Sequence, residues 1–229
     1  MTTCDYANEE FAARYAADGP AQFVPGYYVM HQMAAQLISE STPDEAEILI
    51  LGAGGGLEIA SFGRIMPHWK FTGVDPSREM LDQAKTTTDR ANIGNRVTWF
   101  HGYISDAPQG PFDAATCLLT LHFMKDNGEK LNALIDIKKR LKEGSPFILV
   151  DLCMDRACGD FEHYRNRYST FALNSGAARE DVERTHVRLK EVLHTVSPAR
   201  NEELLREAGF SGIELFYAGL SWRGWVTAG

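Results

Sequence analysis

The sequence predicts an α/β fold in which helices cover the faces of a mostly parallel sheet. From position 46 onward, short apolar runs alternate with amphipathic helical stretches, the pattern of strands that are joined by crossover helices. The first apolar run leads into a glycine-rich loop, and the second ends in a carboxylate. Together these observations predict a nucleotide-type pocket at the carboxyl edge of the sheet, where such folds bind their ligands.

The composition is that of one globular domain. The chain has 229 residues, of which 44% are hydrophobic and 24% charged, so it can bury a substantial core. The formal net charge of −8 argues against a large nucleic-acid surface, because such surfaces need excess lysine and arginine. We find neither a long apolar span nor a basic leader, and we expect a cytoplasmic protein with no membrane partner. Without a Cys-x-x-Cys pair, reduced thiols are expected at Cys4, Cys117, Cys153 and Cys158.

Seven apolar runs predict the strands of the sheet. The first five are Ile48 to Leu51, Phe71 to Val74, Val97 to Phe100, Phe112 to Leu119 and Pro146 to Leu152. Amphipathic patterns over 57–66, 77–91 and 129–141 predict the helices between them. A helix over 197–208 precedes two final strand-like runs, 213–218 and 222–227, which we expect to form an antiparallel pair.

Two accessory segments flank this alternation. Residues 1–45, with helical patterns over 9–17 and 28–39, predict an N-terminal helical lid on the domain of residues 46–229. A polar segment over about 155–196 predicts a helical cap, because its charges balance and its apolar residues recur at helical spacing. Within the cap, one helical face is expected to contact the substrate through Tyr164, Arg167 and Tyr168. The alternative is an ordinary amphipathic helix whose arginines extend toward solvent.

The strongest local signal is the glycine-rich segment ILILGAGGGLEIA at residues 48–60. Glycine lets a ligand approach the backbone closely, and the helix that follows offers unpaired N–H groups. The expected cofactor contacts in this loop are Gly52, Ala53, Gly54 and Gly56. The spacing is GxGxG, and Leu57 stands where a dinucleotide fingerprint needs a small residue. The loop therefore favours a nucleoside cofactor over a nicotinamide dinucleotide.

A carboxylate ends the second predicted strand at the same edge of the sheet. At this position Asp75 can accept hydrogen bonds from both ribose hydroxyls of an adenosine. The alternative is a helix N-cap, since Ser77 and Glu79 follow. With the glycine loop upstream, we expect Asp75 to bind ribose.

The glycine loop and Asp75 together resemble the class I S-adenosylmethionine-dependent methyltransferases, and the resemblance covers nearly the whole chain. It implies a Rossmann-like sheet of seven strands and binding of S-adenosylmethionine or its product S-adenosylhomocysteine. The segment from Asp75 through Pro76 to Met80 looks like the family's second motif, in which the residue at Met80 packs on the adenine. A methionine in the helix core is the alternative for Met80.

The resemblance extends the expected cofactor site to the ends of the third and fourth strands, at Gly102, Tyr103, Ile104, Leu118 and Leu119. Tyr103 replaces the acid that the family usually has, so the backbone there would hold the adenine edge. Ile50 is a second departure, where many members carry an acid before the glycine loop. His122 lies beside this edge, and it would be the general base for a substrate that must lose a proton, or else a structural histidine.

A narrower resemblance lies outside the core. PGYYVMHQM at 25–33 and EAGF at 207–210 look like the CmoA-type group, interpreted as tRNA wobble-uridine carboxymethyltransferases that use carboxy-S-adenosylmethionine. This likeness implies a homodimer and places Tyr27 over the cofactor. Leu204 stands where that group has the arginine for the extra carboxylate, and an unpaired buried carboxylate is costly. Plain S-adenosylmethionine is therefore expected, although Arg200 or Arg206 could supply a cation from a shifted register.

The leading functional hypothesis is methyl transfer to a small-molecule nucleophile. Such a transfer needs mainly in-line positioning, so the lack of a catalytic triad is compatible with an enzyme. One alternative is tRNA carboxymethylation, against which the net charge and Leu204 count. Another is a non-catalytic S-adenosylmethionine-binding protein, suggested by the departures at Ile50 and Tyr103.

Overall fold

The computed structural model describes residues 9–17, 19–155 and 159–229. The strands are β1 (Glu47–Leu51), β2 (Lys70–Asp75), β3 (Val97–His101), β4 (Ala114–Leu118), β5 (Pro146–Leu152), β6 (Ser211–Gly219) and β7 (Trp222–Ala228). The helices are α1 (Glu9–Ala17), α2 (Gly19–Phe23), α3 (Tyr27–Ser39), α4 (Leu57–Ile65), α5 (Arg78–Arg90), α6 (Glu129–Lys138), α7 (Phe161–Asn174), α8 (Arg179–Glu191) and α9 (Pro198–Glu207).

All seven described strands form one sheet, in the order β3-β2-β1-β4-β5-β7-β6. The first five strands are parallel, and β7 lies antiparallel between β5 and β6. The predicted α/β fold, with its antiparallel last pair, is therefore confirmed. The chain order reverses between β1 and β4, and in open α/β sheets the ligand crevice opens at such a reversal.

Helices cover both faces of the sheet, which explains why the parallel strands are continuous apolar runs. In β5, Ile148 and Val150 join the core beneath α3 and α4, whereas Leu149 joins the core beneath α6 and α9. Leu204 of α9 is fully buried in this second core. The sheet is thus a rigid platform whose carboxyl edge carries the loops.

The accessory helices meet above that edge. Helix α1 packs on α5, and α2 packs on α7, while Phe23 joins a small apolar cluster with Ala172 and Val182 of the cap. The indole Nε1 of Trp222 donates to the carbonyl of Phe23 at 3.1 Å, which ties this segment to β7. Helix α3 instead buries a full face against α4 and β5. The division into a lid of residues 1–45 and a domain of residues 46–229 stays a prediction.

Cys117 and Cys153 are buried free thiols, and burial raises the pKa of both. Cys4 and Cys158 lie outside the described residues. Within the described ranges, no helix is long and apolar enough to cross a bilayer. The same residues contain no group of three or more side chains that could hold a metal ion.

Candidate active site

The glycine loop between β1 and α4 has a backbone conformation that strongly favours glycine. Gly52, Gly54 and Gly56 all have positive φ angles, at 76°, 48° and 77°. A Cβ on Gly52 would overlap the side chain of Thr120, and one on Gly56 would lie 2.8 Å from the carbonyl oxygen of Ala84. Thr120, which the sequence did not single out, therefore sets how closely the loop after β4 approaches the glycine loop.

Asp75 ties the end of β2 to the glycine loop. Its carboxylate accepts the N–H of Gly54 and the N–H of Ser77, each at 2.9 Å. The N-cap of α5 is Ser77, whose Oγ accepts the N–H of Met80 at 3.2 Å. Burial raises the pKa of Asp75, although both backbone hydrogen bonds and His101 act in the opposite direction. A carboxylate offers about four lone-pair sites, so two remain for ribose hydroxyls.

Other expected cofactor residues gather at the same corner of the sheet. The N–H of Gly102 donates to the carbonyl of Asp75 at 3.1 Å, and the His101 ring contacts the carbonyl of Pro76 at 3.0 Å. Met80 is buried, and its Cε would lie 3.6 Å from a Cβ on Gly54. The side chain of Ile104 is buried, whereas that of Tyr103 is 66% exposed. The role of the backbone at Tyr103 in holding the adenine edge stays a prediction.

The loop after β4 has a strained residue at its centre. Leu119 has a φ angle of 56°, which is uncommon for a side chain with a Cβ and is characteristic of functional sites. Its N–H donates to the carbonyl of Val150 at 2.8 Å, which holds the turn against β5. The preceding Leu118 points into the core, while Leu119 lines the main cavity.

His122 forms a buried pair with Asp151 of β5. Its Nδ1 donates to Oδ1 of Asp151 at 2.6 Å, and its backbone N–H donates to the same oxygen at 3.0 Å. Asn201 of α9 donates to the other carboxylate oxygen at 3.3 Å. Burial by itself raises the pKa of Asp151, but His122, Lys130 and Asn201 outweigh it and the pKa is lowered. Asp151 is therefore ionised, and Nε2 is the ring nitrogen of His122 that remains for a substrate.

A cavity of about 320 Å³ opens beside this pair, between the lid helices, the cap helices and the sheet edge. Its lining is mostly aromatic or apolar on one side and polar on the side of α8. The residues around it include Leu119, His122, Phe123, Tyr168, Arg184, Arg188 and Trp222. Tyr15 of α1 also reaches the cavity and lies next to Gly54.

The three cap residues expected to contact substrate separate in the structure. Tyr168 lines the cavity, and Tyr164 packs at the margin of the core beneath α3 and α4. Arg167 is exposed and does not line the cavity, and it donates to His163 at 2.7 Å. The cations at the cavity are instead Arg184 and Arg188, on the next helix. The residues that line the cavity therefore do not come from one face of α7 alone.

Tyr27 is buried at the start of α3 rather than in the cavity wall. Its ring centroid lies 4.3 Å from that of His31, and burial, followed by Tyr15 and Glu58, raises its pKa. Burial also lowers the pKa of His31 to about 3, so this imidazole is neutral. The role of Tyr27 over a cofactor stays a prediction, and Tyr15 is the lid residue next to the glycine loop.

A carboxyl group lies inside the protein close to where the family carries an acid. Glu58 of α4 accepts a hydrogen bond from the hydroxyl of Thr116, and Thr116 is the register neighbour of Ile50 across β1 and β4. Burial raises the pKa of Glu58 to about 8, although the Thr116 hydrogen bond acts against this rise. Glu58 therefore stands beside the apolar Ile50, and the sequence pattern gave no signal for its burial.

No cation of α9 replaces the arginine that is missing at Leu204. Arg200 pairs with Asp126, Glu203 and Glu207, and Arg206 pairs with Glu202. Neither arginine lines the cavity. Within one subunit, therefore, neither arginine of α9 faces the cavity, and a cation supplied from α9 across a dimer stays a prediction.

The corner of the sheet fits S-adenosylmethionine. It combines a glycine loop without side chains, a buried carboxylate with free lone pairs, and an apolar wall that ends at Leu119. Residues 49–147 match the family model described as a methyltransferase domain. Over these residues the chain is similar to methyltransferases, in line with the resemblance to the class I S-adenosylmethionine-dependent methyltransferases.

Curated proteins that are similar to this chain include carboxy-S-adenosyl-L-methionine synthases. The protein of Campylobacter lari is 23% identical over 222 residues, covering 95% of this chain and 93% of the relative. That of Colwellia psychrerythraea is 25% identical over 198 residues, covering 85% and 80%. The likeness to the CmoA-type group is confirmed, but these names describe synthesis of the carboxylated cofactor and mention no RNA.

Solved structures of methyltransferases share the fold. An O-methyltransferase family 2 protein from Planctomyces limnophilus, solved with apigenin, has a TM-score of 0.66 at 15% identity. Human N-acetylserotonin methyltransferase, solved with S-adenosylmethionine, has a TM-score of 0.61 at 15% identity. This chain is covered to 99% and 98%, but it spans only 62% and 57% of those longer chains.

Proposed function

We propose that this protein transfers a methyl group from S-adenosylmethionine to a small-molecule hydroxyl group. The observation that carries the proposal is that His122, held by the buried Asp151, lines the cavity beside the strained Leu119. A hydroxyl is a poor nucleophile until it loses its proton, so an oriented base at this place serves such a substrate. The volume of about 320 Å³ suits a small molecule.

The cofactor-binding residues that we propose follow the corner of the sheet. Asp75 would accept the ribose hydroxyls, while Met80 and the backbone at 102–104 would hold the adenine. The loop from Gly52 to Gly56 and Leu119 would lie along the methionine part. When bound, S-adenosylmethionine supplies an activated methyl group on a sulfonium. The apolar wall disfavours that charge, which transfer removes.

Asp151 positions the base. Because its carboxylate accepts from Nδ1 of His122, the imidazole is held in the tautomer whose Nε2 can take a proton. With the methyl group supplied by bound S-adenosylmethionine, Nε2 of His122 would take the proton that the substrate hydroxyl loses on transfer. The negative charge of Asp151 then stabilises the imidazolium. Lys130, whose Nζ donates to the carbonyl of Leu121 at 2.7 Å, holds the loop that carries His122.

The test measures methyl transfer and cofactor binding separately. A panel of hydroxylated small molecules is incubated with the enzyme and methyl-labelled S-adenosylmethionine, and labelled products are identified by mass spectrometry. With the acceptor that is found, His122→Asn and Asp151→Asn should lower kcat by about 100-fold to 10,000-fold. Calorimetric affinity for S-adenosylhomocysteine should stay unchanged in both variants.

Two results would contradict the proposal. One is full activity of the folded His122→Asn enzyme, with circular dichroism as the check on folding. The other is tight cofactor binding with no labelled product from any acceptor, which would favour the non-catalytic alternative. His68→Asn is the matched control, because that histidine is exposed and its nearest charged partner, Asp44, is 3.9 Å away.

A second candidate function is synthesis of a carboxylated S-adenosylmethionine. The names of the curated relatives favour it, and Arg184 and Arg188 could face the added carboxylate. Leu204 counts against it, because it stands where the CmoA-type group has the arginine for the extra carboxylate. Mass spectrometry of the cofactor that co-purifies separates the candidates, since a cofactor heavier by one CO₂ would favour carboxylation.

For the assembly and its location, we propose a cytoplasmic homodimer. The support is the likeness to the CmoA-type group, together with reduced thiols at Cys117 and Cys153. Transfer to tRNA is less well supported, because the net charge is −8 and Arg165 and Arg184 of the cap pair with acids. Size-exclusion chromatography with light scattering tests the dimer, and a filter-binding assay tests tRNA.

A further inference from the structure

A single peptide group in the loop after β4 lies between two buried charges of opposite sign. Its carbonyl, that of Leu121, accepts a hydrogen bond from Nζ of Lys130 at 2.7 Å, and its N–H, that of His122, donates to Oδ1 of Asp151 at 3.0 Å. Lys130 and Asp151 are both fully buried. Because a peptide group is short, the two charged atoms lie no more than about 8 Å apart. The peptide dipole thus has its negative end at the cation and its positive end at the anion.

The charge of Lys130 balances that of Asp151. Asp151 also accepts from Nδ1 of His122 at 2.6 Å, so the ammonium, the carboxylate and the imidazole form one buried group. The charges of this group cancel when the imidazole is neutral. Burial acts to raise the pKa of Asp151, but His122 and then Lys130 outweigh it. Burial lowers the pKa of Lys130, and the charge of Asp151 acts in the opposite direction. Each charge therefore stabilises the charged form of the other.

The other titratable groups around His122 are less well placed to provide this balance. On the buried side are the thiols of Cys117 and Cys153, which burial keeps uncharged by raising their pKa. On β7, Arg223 is the cross-strand neighbour of Asp151, but its guanidinium donates to two backbone carbonyls of its own hairpin. The open side of the cavity is accessible to water and salt, which screen charges there. Its charged residues are Asp181, Arg184 and Arg188 of α8, and His194 follows α8 and donates its backbone N–H to the carbonyl of His122.

We infer that Lys130 is a positioning residue whose buried charge favours the neutral form of His122, the form that a general base requires. Without this cation, the charge of Asp151 would lie uncompensated in the interior, which is costly. The smallest change that restores the balance is a proton on the imidazole, and a doubly protonated ring cannot accept the proton of a substrate. Lys130 does not line the cavity, so it acts through His122. The inference rests on the proposed function for the reaction of His122, but the protonation of His122 can be measured without turnover.

The test follows the protonation of His122 by NMR. In protein labelled with ¹⁵N at histidine, the ring signals of His122 are identified by their absence from His122→Asn and are then titrated with pH. Lys130→Gln keeps a side-chain donor and removes the charge, so we expect the midpoint of this titration to rise by about one pH unit or more. Lys130→Arg keeps the charge and should titrate as the wild type does. Lys139→Gln is the matched control, because that lysine directly follows α6 and its side chain is 65% exposed.

A second comparison covers the case in which Lys130→Gln alone does not fold, as judged by circular dichroism. The double variant of Lys130→Gln and Asp151→Asn leaves neither charge uncompensated. Its midpoint should exceed that of Asp151→Asn alone by about one pH unit or more, because loss of the cation acts in the same direction in both backgrounds.

Each alternative outcome has a definite meaning. The inference would be overturned by an unchanged midpoint in folded Lys130→Gln, by equal midpoints in the double variant and Asp151→Asn, or by an equal rise in Lys130→Arg. Turnover is read separately, and the acid limb of kcat/KM should move upward together with the NMR midpoint. A midpoint that rises as expected, without methyl transfer to any acceptor, would support the role of Lys130 and contradict the proposed function. An active Lys130→Gln enzyme whose midpoint is that of the wild type would do the reverse.

Discussion

The buried Glu58 predicts a pH dependence of stability that one substitution should remove. The folded protein keeps the proton of Glu58 up to about pH 8, whereas the unfolded chain releases it near the ordinary pKa of 4.5. Between these values the unfolded state binds fewer protons, so the free energy of unfolding falls as the pH rises. The slope is about 1.4 kcal/mol per pH unit, and between pH 5 and pH 8 the loss is about 4 kcal/mol.

Glu58→Gln isolates this contribution. The amide is uncharged at every pH, and its oxygen can still accept the hydrogen bond from Thr116. In urea unfolding at pH 5, 6, 7 and 8, the free energy of unfolding of the variant minus that of the wild type should therefore rise by about 4 kcal/mol from pH 5 to pH 8. Glu143→Gln, which changes an exposed acid, should follow the wild-type curve. Parallel curves for wild type and Glu58→Gln would refute the assignment of a protonated, buried Glu58.

Three further predictions concern the cofactor corner and the base. Asp75→Ala should weaken S-adenosylhomocysteine in calorimetry by about 1.5 to 3 kcal/mol for each hydrogen bond to the carboxylate, and unchanged affinity in a folded variant would remove Asp75 from the site. Gly56→Ala should lower the free energy of unfolding by about 1 to 3 kcal/mol, because its Cβ would press on the backbone of Ala84 at a positive φ; thermal unfolding that matches wild type would contradict this. Asn201→Leu should lower kcat more than it changes the KM of the acceptor, since it removes a donor that holds Asp151. A variant that loses stability while its kcat and KM stay unchanged would instead indicate a purely structural role for Asn201.

Much of the cofactor corner follows from local sequence. Apolar runs separated by amphipathic helices predict parallel strands, and the carboxyl ends of parallel strands meet at one edge. Asp75 and the loop at Gly54 therefore had to lie close together, and their hydrogen bond at 2.9 Å is the result. The positive φ angles of the loop glycines likewise correspond to the residues that the pattern marked.

The orienting partner of His122 was not visible in the pattern. Asp151 follows His122 by 29 positions and lies in a run that is otherwise apolar, so periodicity marks it only as part of a buried strand. The two meet because β4 and β5 are neighbours in the sheet. Glu58 has the same explanation, since only the packing of α4 over β4 turns its carboxyl inward.

The sequence by itself determined the class of fold, the edge of the sheet at which we propose that the cofactor binds, and the conformation of the glycine loop, because these depend on periodicity and on backbone conformations that few residues adopt. Only the tertiary structure decided which arginines line the cavity. Arg167 and Arg188 both lie on amphipathic cap helices, and helical spacing alone does not distinguish them. Packing of α7 and α8 against the lid and the sheet directs Arg188 to the cavity and Arg167 away from it.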